Sequence, residues 1–486
     1  MALPIDQLRK IRLEKLQKIK NLGIDPYPPR CLRQQTISQA LKMMGKKVAV
    51  TGRIMAIRGH GGIQFFDLRD ETAKIQLVFK KDKLGKLHLQ LLPLLDIGDF
   101  LATQGEVFKT KAGEISVLVS DFQLLAKSLR PLPSKWYGLK DVEERYRKRY
   151  LDLIMNEEVR KIFYLRSRIL TAIREFLDKE GFLEVETPIL QEMYGGASAR
   201  PFITHHNALD CDLYLRISDE LYLKRLIVGG FEKVYEVSKD FRNEGIDRAH
   251  NPEFTQVEFY WAYANYEDLM ELTEKMLVKV LTTTFGKTKI RCGNKTLDFT
   301  PPLPRVYFRD IFLDETGIDI DKINTEEELL RAIEEKKVAV DLRGIFGMGP
   351  IFEKIYKEKI RPRLIQPTFL LDYPSSMIAL AKRKESEPNK IASMQLLADG
   401  WELIKAYNEL NDPLDQKERW LEMEKLAQKG VEEAERVDES YIEALEYGMP
   451  PTAGWGMGID RFVAVLTNKP LKEVILFPTL APKKND

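Results

Sequence analysis

Two stretches hold residues whose types and spacing can do chemistry. In 234–242 the polar residues Glu236, Ser238, Asp240 and Arg242 take even positions, while Tyr235, Val237 and Phe241 take odd ones. Gln256, Glu258 and Tyr260 alternate in the same way with Val257, Phe259 and Trp261. Side chains alternate across a strand, so each stretch reads as a strand with one polar face. Joined through 243–254, the two make an antiparallel hairpin with a long loop. Carboxylates and an arginine beside an apolar sheet are costly unless a ligand, a partner or an internal salt-bridge network satisfies them. Binding is the favoured reading, because two facing strands with one charged face rarely sit over a core. The second stretch is Gly454-Trp455-Gly456-Met457-Gly458-Ile459-Asp460-Arg461, leading into an apolar helix over 462–466. Alternate glycines let backbone approach a ligand closely, and an arginine at a helix start is placed to grip phosphate. The run differs from the dinucleotide fingerprint and the Walker loop, so neither a Rossmann nor a P-loop enzyme is indicated.

The elements that position these residues form one large α+β unit over 156–486. A helix over 159–180 ends at Gly181, and 182–189 continues in extended form with Pro188 inside it. Proline cannot donate to a ladder, so that strand belongs at an edge or an interface. Residues 305–365 read as a largely helical, locally charged insertion without legible chemistry.

Upstream the pattern changes. Five short strands, 48–57, 64–68, 74–79, 100–108 and 114–124, are separated by Gly-rich or charged turns. They predict a small β-barrel over 45–128, and an OB-fold is the commonest barrel of that size to meet single-stranded nucleic acid. Phe65 or Phe66, near Arg58 and Gln76, would supply stacking and base-edge contacts. Residues 1–30 predict a basic helix, which either touches phosphate or packs as a solvated face on its neighbour. Residues 129–155 read as a linker whose run Arg145-Tyr146-Arg147-Lys148-Arg149 is either a nucleic-acid path or a charged hinge.

Composition narrows the class. The 486 residues carry 76 Lys and Arg against 74 Asp and Glu, a net charge of +2 that by itself argues for no partner. With 44% hydrophobic and 31% charged residues, disorder and collagen-like structure are excluded. No apolar run is long enough to span a membrane, and the start lacks a signal-peptide core, so a cytoplasmic protein is expected. Cys31, Cys211 and Cys292 lie too far apart in sequence for a disulfide framework or a zinc site.

These residues resemble a known family. Phe241-Arg242-Asn243-Glu244, the loop His250-Asn251-Pro252-Glu253-Phe254, Pro188 within 181–190 and the glycine run ending in Arg461 resemble the three motifs of class II aminoacyl-tRNA synthetases. Gly195-Gly196-Ala197 through Asn207, Leu213-Tyr214-Leu215-Arg216, Val228-Gly229-Gly230, Glu244-Gly245-Ile246-Asp247 and Glu409-Leu410-Asn411-Asp412-Pro413 resemble the lysyl-tRNA synthetases of that class. The resemblance covers nearly the whole chain. It implies an α+β multidomain fold: an N-terminal OB-fold barrel that binds the anticodon, and a class II antiparallel-sheet catalytic domain with helices. It also implies an ATP-dependent ligase that joins L-lysine to tRNA(Lys) through lysyl-adenylate. The expected partners are ATP, L-lysine, tRNA(Lys) and a second copy of the chain paired through the strand around Pro188. Mg²⁺ would come with ATP, with no organic cofactor and no zinc.

The same resemblance implies residue roles. Arg242 would hold the α-phosphate and the amino-acid carboxylate, and Arg461 the γ-phosphate; both are the expected catalytic residues. Asn243, Glu244, His250, Asn251, Pro252, Gly458, Ile459 and Asp460 would contact ATP, with Phe254 stacked on adenine. Glu258, Tyr260 and Glu409 would take the lysine ammonium, and Gly196 and Glu220 the substrate's amino end. Arg58, Phe65, Gln76 and Glu114 would read the anticodon, and Glu402 would ligate the metal.

Two positions depart from the family pattern. Gln395 stands where a second metal-ligating glutamate is expected, and a neutral oxygen is a poorer Mg²⁺ ligand. Lys405 stands where asparagine is expected. It either pairs with the substrate carboxylate or folds its ammonium into the pocket in place of lysine. The stretch 374–379 also lacks an expected acidic residue and second proline. Glu402 and Lys405 fall on opposite faces of a regular strand, so both reach one ligand only across a bulge. The departures are the sole support for an alternative, a weakened or silent homologue acting as an RNA-binding protein. An aspartyl- or asparaginyl-type enzyme fits poorly, because Glu258 and Glu409 would repel an acidic side chain.

Overall fold

A computed structural model of the chain describes residues 3–60, 62–133, 141–247, 250–428 and 436–483. The chain divides into two compact units, Met1–Lys140 and Asp141–Asp486.

In the first unit, β1 (Lys47–His60), β2 (Ile63–Arg69), β3 (Lys74–Lys80), β4 (Phe100–Lys109) and β5 (Ile115–Ala126) close into a barrel in the order β1-β2-β3-β5-β4. Closure removes exposed strand edges. Alternation sends Phe66, Leu68, Leu77 and Phe79 into the barrel core, with the rings of Phe66 and Phe79 4.7 Å apart. The helix Ile5–Asn21 adds Ile19 to that core. Its Arg12 is buried and donates to the carbonyls of Ile97, Ser128 and Arg130, each at 3.0 Å, and Lys15 pairs with Asp96 at 2.7 Å. Packing on the barrel therefore accounts for these two basic residues, while Arg9, Lys10, Lys18 and Lys20 stay exposed.

The second unit starts at Asp141 rather than at 156. Residues expected to be linker form the helices Val142–Arg147 and Arg149–Met155. Arg149 is fully buried, donating to Asp152 at 2.7 Å and to the Leu476 carbonyl at 3.0 Å. Arg145 bonds Asp152 at 2.9 Å and Glu473 at 3.1 Å. Arg147 and Lys148 pair with Glu143 and Glu144. The basic run is thus engaged in pairing within the second unit, through buried Arg149 and the half-buried Arg145 and with surface pairs at Arg147 and Lys148.

Further strands of this unit are β6 (Leu183–Glu184), β7 (Leu190–Gln191), β8 (Phe202–His206), β9 (Cys211–Leu215), β10 (Lys233–Phe241), β11 (Glu253–Ala262), β12 (Lys289–Cys292), β13 (Lys295–Asp298), β14 (Arg305–Tyr307), β15 (Thr368–Leu371), β16 (Ser393–Ala398), β17 (Trp401–Asn408) and β18 (Thr452–Gly458). Eight of them form one mostly antiparallel sheet, β14-β15-β16-β17-β18-β11-β10-β6. Its odd-position residues Val257, Phe259, Trp455 and Met457 face the helices Glu157–Lys179 and Tyr266–Phe285 in a continuous core. Phe259 stacks on Trp455 at 4.7 Å, and the Trp455 indole donates to Thr273 at 2.9 Å. An Asn265–Asp268 capping box starts the second of these helices, and Gly286 at φ 72° stops it. Burying one face leaves the even-position polar residues on the other.

The extended segment around Pro188 is more broken than expected. Only Leu183–Glu184 joins the large sheet, as its edge, and Leu190–Gln191 joins a separate three-stranded sheet with β9 and β8. Pro188 lies between them in neither, consistent with its missing donor. Residues 305–365 are largely helical as expected, through Phe308–Thr316, Glu326–Glu335 and Met348–Ile355.

Candidate active site

The polar face of the sheet borders a cavity of about 610 Å³. Its floor is β18. Gly454 pairs with Tyr260 on one side and Tyr407 on the other, Gly456 with Glu258 and Lys405, and Gly458 with Gln256. Three glycines in alternation thus leave a side-chain-free gutter between walls built by β11 and β17. Gly454 is the tightest: a Cβ there would stand 2.1 Å from Glu409 Oε1 and 2.5 Å from Tyr260 Cε1.

One end of the gutter is acidic. Glu220, at the start of the helix Glu220–Val228, joins Glu258 and Glu409, all three buried, with the hydroxyls of Tyr260 and Tyr407 among them. Tyr407 donates to Glu220 at 2.9 Å. The resident cation is Lys224, one turn beyond Glu220 and fully buried. It bonds Glu220 at 2.5 Å and forms an ion pair with Glu409. Burial would lower the Lys224 pKa, but Glu220 and Glu409 together hold it well above its usual value. The acidic groups still exceed this one charge. Burial, reinforced by Asp219, drives Glu258 well above the usual carboxylate range, and burial takes Glu409 up to about 8 despite Lys224. Asp219, behind Glu258, is pushed up to about 6, first by burial.

The two polar strand faces have different fates. On β10, Glu236 accepts from Arg216 at 2.7 Å and from Thr187 Oγ1 at 2.7 Å, while Arg216 Nε lies 3.3 Å from Asp240. That face is an internal salt-bridge network. The β11 face opens on the cavity, as the binding reading expects.

The other end of the gutter is cationic. Arg242 donates from Nε to the Ile217 carbonyl at 3.3 Å and lies 5.1 Å over the Phe254 ring. Arg461 projects from the first turn of the helix Ile459–Thr467, 3.8 Å from Glu402. Arg361 faces the same space, and its Nε is buried without a hydrogen-bond partner. Burial lowers the Arg461 pKa, and Arg242 and Arg361 lower it further. Glu244, His250, Asn251, Pro252, Phe254, Gly458 and Gly196 also line the cavity. Two expected contacts do not. Asn243 is exposed, with its N–H on the Arg200 carbonyl at 2.7 Å, and Ile459 points into the hydrophobic core. Asp460 reaches the lining but is already engaged, in an ion pair with Arg166 and accepting the Thr255 N–H at 2.9 Å.

Glu402 and Lys405 both line the cavity, through the bulge that strand parity demands. Leu396 pairs with Ile404 and Leu397 with Glu402, so Leu403 is the extra residue. Lys405 lies 5.9 Å from the centre of the Tyr407 ring and makes no ion pair among the described residues. Its charge acts on Glu409 without closing an ion pair with it. Gln395, opposite Lys405, has its Oε1 held by Tyr373 at 2.7 Å and Tyr356 at 2.9 Å.

On the barrel, cross-strand pairs Arg58–Phe65, Asp67–Gln76 and Gln76–Ser116 place Arg58, Phe65, Asp67 and Gln76 on one outer face. Phe65 is half-buried there, whereas Phe66 belongs to the core. Arg58 pairs with Asp67 at 2.5 Å, Gln76 accepts from Ser116 at 3.0 Å, and Glu114, two residues before Ser116, is exposed.

Comparison with known proteins matches this layout. Residues 141–481 match the family of class II tRNA synthetases (D, K and N), and residues 48–125 match the OB-fold nucleic acid binding domain. The chain is 48% identical over 485 residues to the lysine–tRNA ligase of Pelotomaculum thermopropionicum, covering 99% of this chain and 96% of that one. It is also 48% identical to the lysine–tRNA ligase of Carboxydothermus hydrogenoformans, over 99% of each chain. For that of Syntrophomonas wolfei the figures are 48%, with 100% of this chain and 99% of the relative covered. The chain belongs to the lysine–tRNA ligase family.

The Mg²⁺ expected of a lysine–tRNA ligase fits these residues poorly as a protein-held ion. Among the described residues no group of three or more His, Cys, Asp or Glu is placed to hold a metal. The Gln395 oxygen is occupied by two tyrosine hydroxyls, and Glu402 lies beside Arg461. An ion here would depend on phosphate and water for most of its ligands.

Two lining residues, Tyr356 and Arg361, and the buried cation of the acidic end, Lys224, escape sequence reasoning. Lys224 sits four residues after Glu220, a spacing that ordinarily marks a solvated helix pair. Tyr356 and Arg361 come from the insertion without legible chemistry. An α-helical period would set them about 140° apart.

Proposed function

We propose that the protein activates L-lysine with ATP and transfers it to tRNA(Lys). The observation that carries this reading is the gutter itself, with buried carboxylates in excess of resident cations at one end and three guanidinium groups at the other. A lysine laid along it puts its ε-ammonium among Glu258, Tyr260 and Glu409 and its α-amino group near Glu220 and Gly196. Its carboxylate then points toward Arg242. A neutral side chain would leave those buried carboxyls protonated and forgo the ion pair that an ammonium makes, and an acidic one would bring like charge beside them.

In the first step a lysine carboxylate oxygen attacks the α-phosphorus of ATP. An O–P bond forms, the bond to the bridging β-oxygen breaks, and pyrophosphate leaves. No side-chain nucleophile is required; orientation and charge neutralisation supply the rate. Arg242 neutralises charge at the α-phosphate, Arg461 grips the γ-phosphate, Phe254 stacks on adenine, and Glu244, His250, Asn251 and Pro252 fix the nucleotide. In the second step a terminal tRNA hydroxyl attacks the lysyl carbonyl and AMP departs. Arg58, Phe65, Gln76 and Glu114 stack on and hydrogen-bond unpaired anticodon bases. Mg²⁺ accompanies ATP, the site of action is the cytoplasm, and the working form is a homodimer. Exposed Leu183, Ile189 and Leu190 beside Pro188 support that pairing. The test is esterification of radiolabelled lysine to a tRNA(Lys) transcript. Charging with lysine and not with aspartate or asparagine is expected; binding of tRNA without charging would favour the silent homologue.

A further inference from the structure

We infer that Arg361 completes, with Arg461 and beside the α-phosphate arginine Arg242, a subsite for the pyrophosphate end of ATP in which guanidinium groups replace a protein-held metal ion. The inference rests on the ligase reading for the identity of the polyphosphate, and on one local distortion for the site. After the helix Met348–Ile355 the chain makes a single π turn over Tyr356–Ile360, in which the Arg361 N–H reaches back five residues to the Tyr356 carbonyl. Such turns are rare and concentrate at functional sites. This one brings Tyr356 and Arg361, which an α-helix would splay apart, to the same cavity.

The turn has two consequences that act together. Tyr356, with Tyr373, donates to the Gln395 oxygen and withdraws it from service as a metal ligand. Arg361 brings a fixed positive charge to the same wall. Its buried Nε has no partner, and a buried unsatisfied donor on a cation is costly unless a ligand accepts from it. The surroundings hold a cluster of cations that an anion would relieve: Arg242 and Arg361 both act on Arg461 as like charges, opposed by the carboxylates of Glu402 and Glu244, and Lys357 and Glu353 line the same cavity. Planar guanidinium forks match phosphate oxygens in pairs, so Arg361 and Arg461 can engage a diphosphate without a bridging cation.

Calorimetric titration of inorganic pyrophosphate into the full chain, in EDTA and separately in Mg²⁺, tests this. Wild type is expected to bind pyrophosphate in EDTA. Arg361→Ala should weaken that binding roughly tenfold or more, in keeping with loss of a charge-assisted contact, and Arg361→Lys should fall between because it keeps charge but loses the fork. Lysine affinity and melting temperature should be unchanged in both variants. Binding by wild type only when Mg²⁺ is present, or equal binding by wild type and Arg361→Ala in EDTA, would overturn the inference. Lysine-dependent pyrophosphate exchange, measured on the same preparations, separates the two readings. Exchange by a wild type whose pyrophosphate binding ignores Arg361 removes only this subsite. Absent exchange with Arg361-dependent binding removes only the ligase assignment.

Discussion

Glu258 and Lys405 stand on opposite walls of one gutter, each paired across the sheet with Gly456, which puts nothing between them. A substrate ammonium drawn to Glu258 therefore meets a second ammonium two strands away. At about 10 Å and an effective dielectric near 20, that repulsion is about 1–2 kcal/mol. Lys405→Asn should tighten lysine binding by up to about tenfold while leaving ATP binding unchanged, as read by calorimetry. Weaker lysine binding in this variant would instead assign Lys405 to the substrate carboxylate.

The gutter floor gives a paired test. A Cβ on Gly454 would collide with Glu409 and Tyr260, whereas one on Gly456 would meet Glu258 at 3.5 Å, an ordinary contact. Gly454→Ala should raise the lysine KM by at least roughly tenfold through strain at the ammonium end. Gly456→Ala should remain within a few-fold of wild type. Equal effects of the two changes would mean that lysine does not lie along β18.

Acidity should couple to lysine binding. Burial, opposed by Lys224 and reinforced by Glu220, takes the Glu409 carboxyl up to about 8, and burial with Asp219 does the same for Asp240. An unfolded glutamate titrates at about 4.3, so the folded apo protein holds protons that the unfolded chain has released. The stability from these groups is complete below the unfolded value and fades as pH rises through about 8. A bound ammonium favours the charged carboxylates, so lysine should bind more tightly at pH 8 than at pH 6 and release protons as it binds. Melting curves with and without lysine, and titrations in buffers of different ionisation enthalpy, read both effects.

On the barrel, Phe65→Ala should lower the efficiency of tRNA charging and spare lysine-dependent pyrophosphate exchange. A stacked base is worth about 1–3 kcal/mol, so the charging defect should be roughly tenfold or more. Equal loss in both assays would point to unfolding.

The hairpin, its polar faces and the glycine floor are legible in sequence because a strand has a period of two, and that period survives folding wherever one face packs on a core. The same parity argument anticipates the bulge at Leu403 that turns Glu402 and Lys405 toward one cavity. What escapes is long-range or irregular. Spacing cannot reveal that Lys224 lies fully buried between two carboxylates. Helical periodicity cannot anticipate a π turn that joins Tyr356 and Arg361. The basic run at 145–149 misleads because charge density carries no information on partners; its carboxylate Glu473 lies more than 300 residues away. Asn243 and Ile459 fall beside lining residues in sequence, but one side chain is exposed and the other serves the core.

The central claim is that this gutter brings the carboxylate of lysine to the α-phosphate beside Arg242. Lysine-dependent exchange of labelled pyrophosphate into ATP, by wild type and Arg242→Ala, tests it most directly. Wild type should exchange with lysine and not with norleucine, which has no side-chain ammonium. Arg242→Ala should lose at least roughly a hundredfold in kcat/KM with an unchanged melting temperature, because the arginine acts on charge that develops in the transition state. Exchange driven equally by norleucine, or undiminished in Arg242→Ala, would contradict the account.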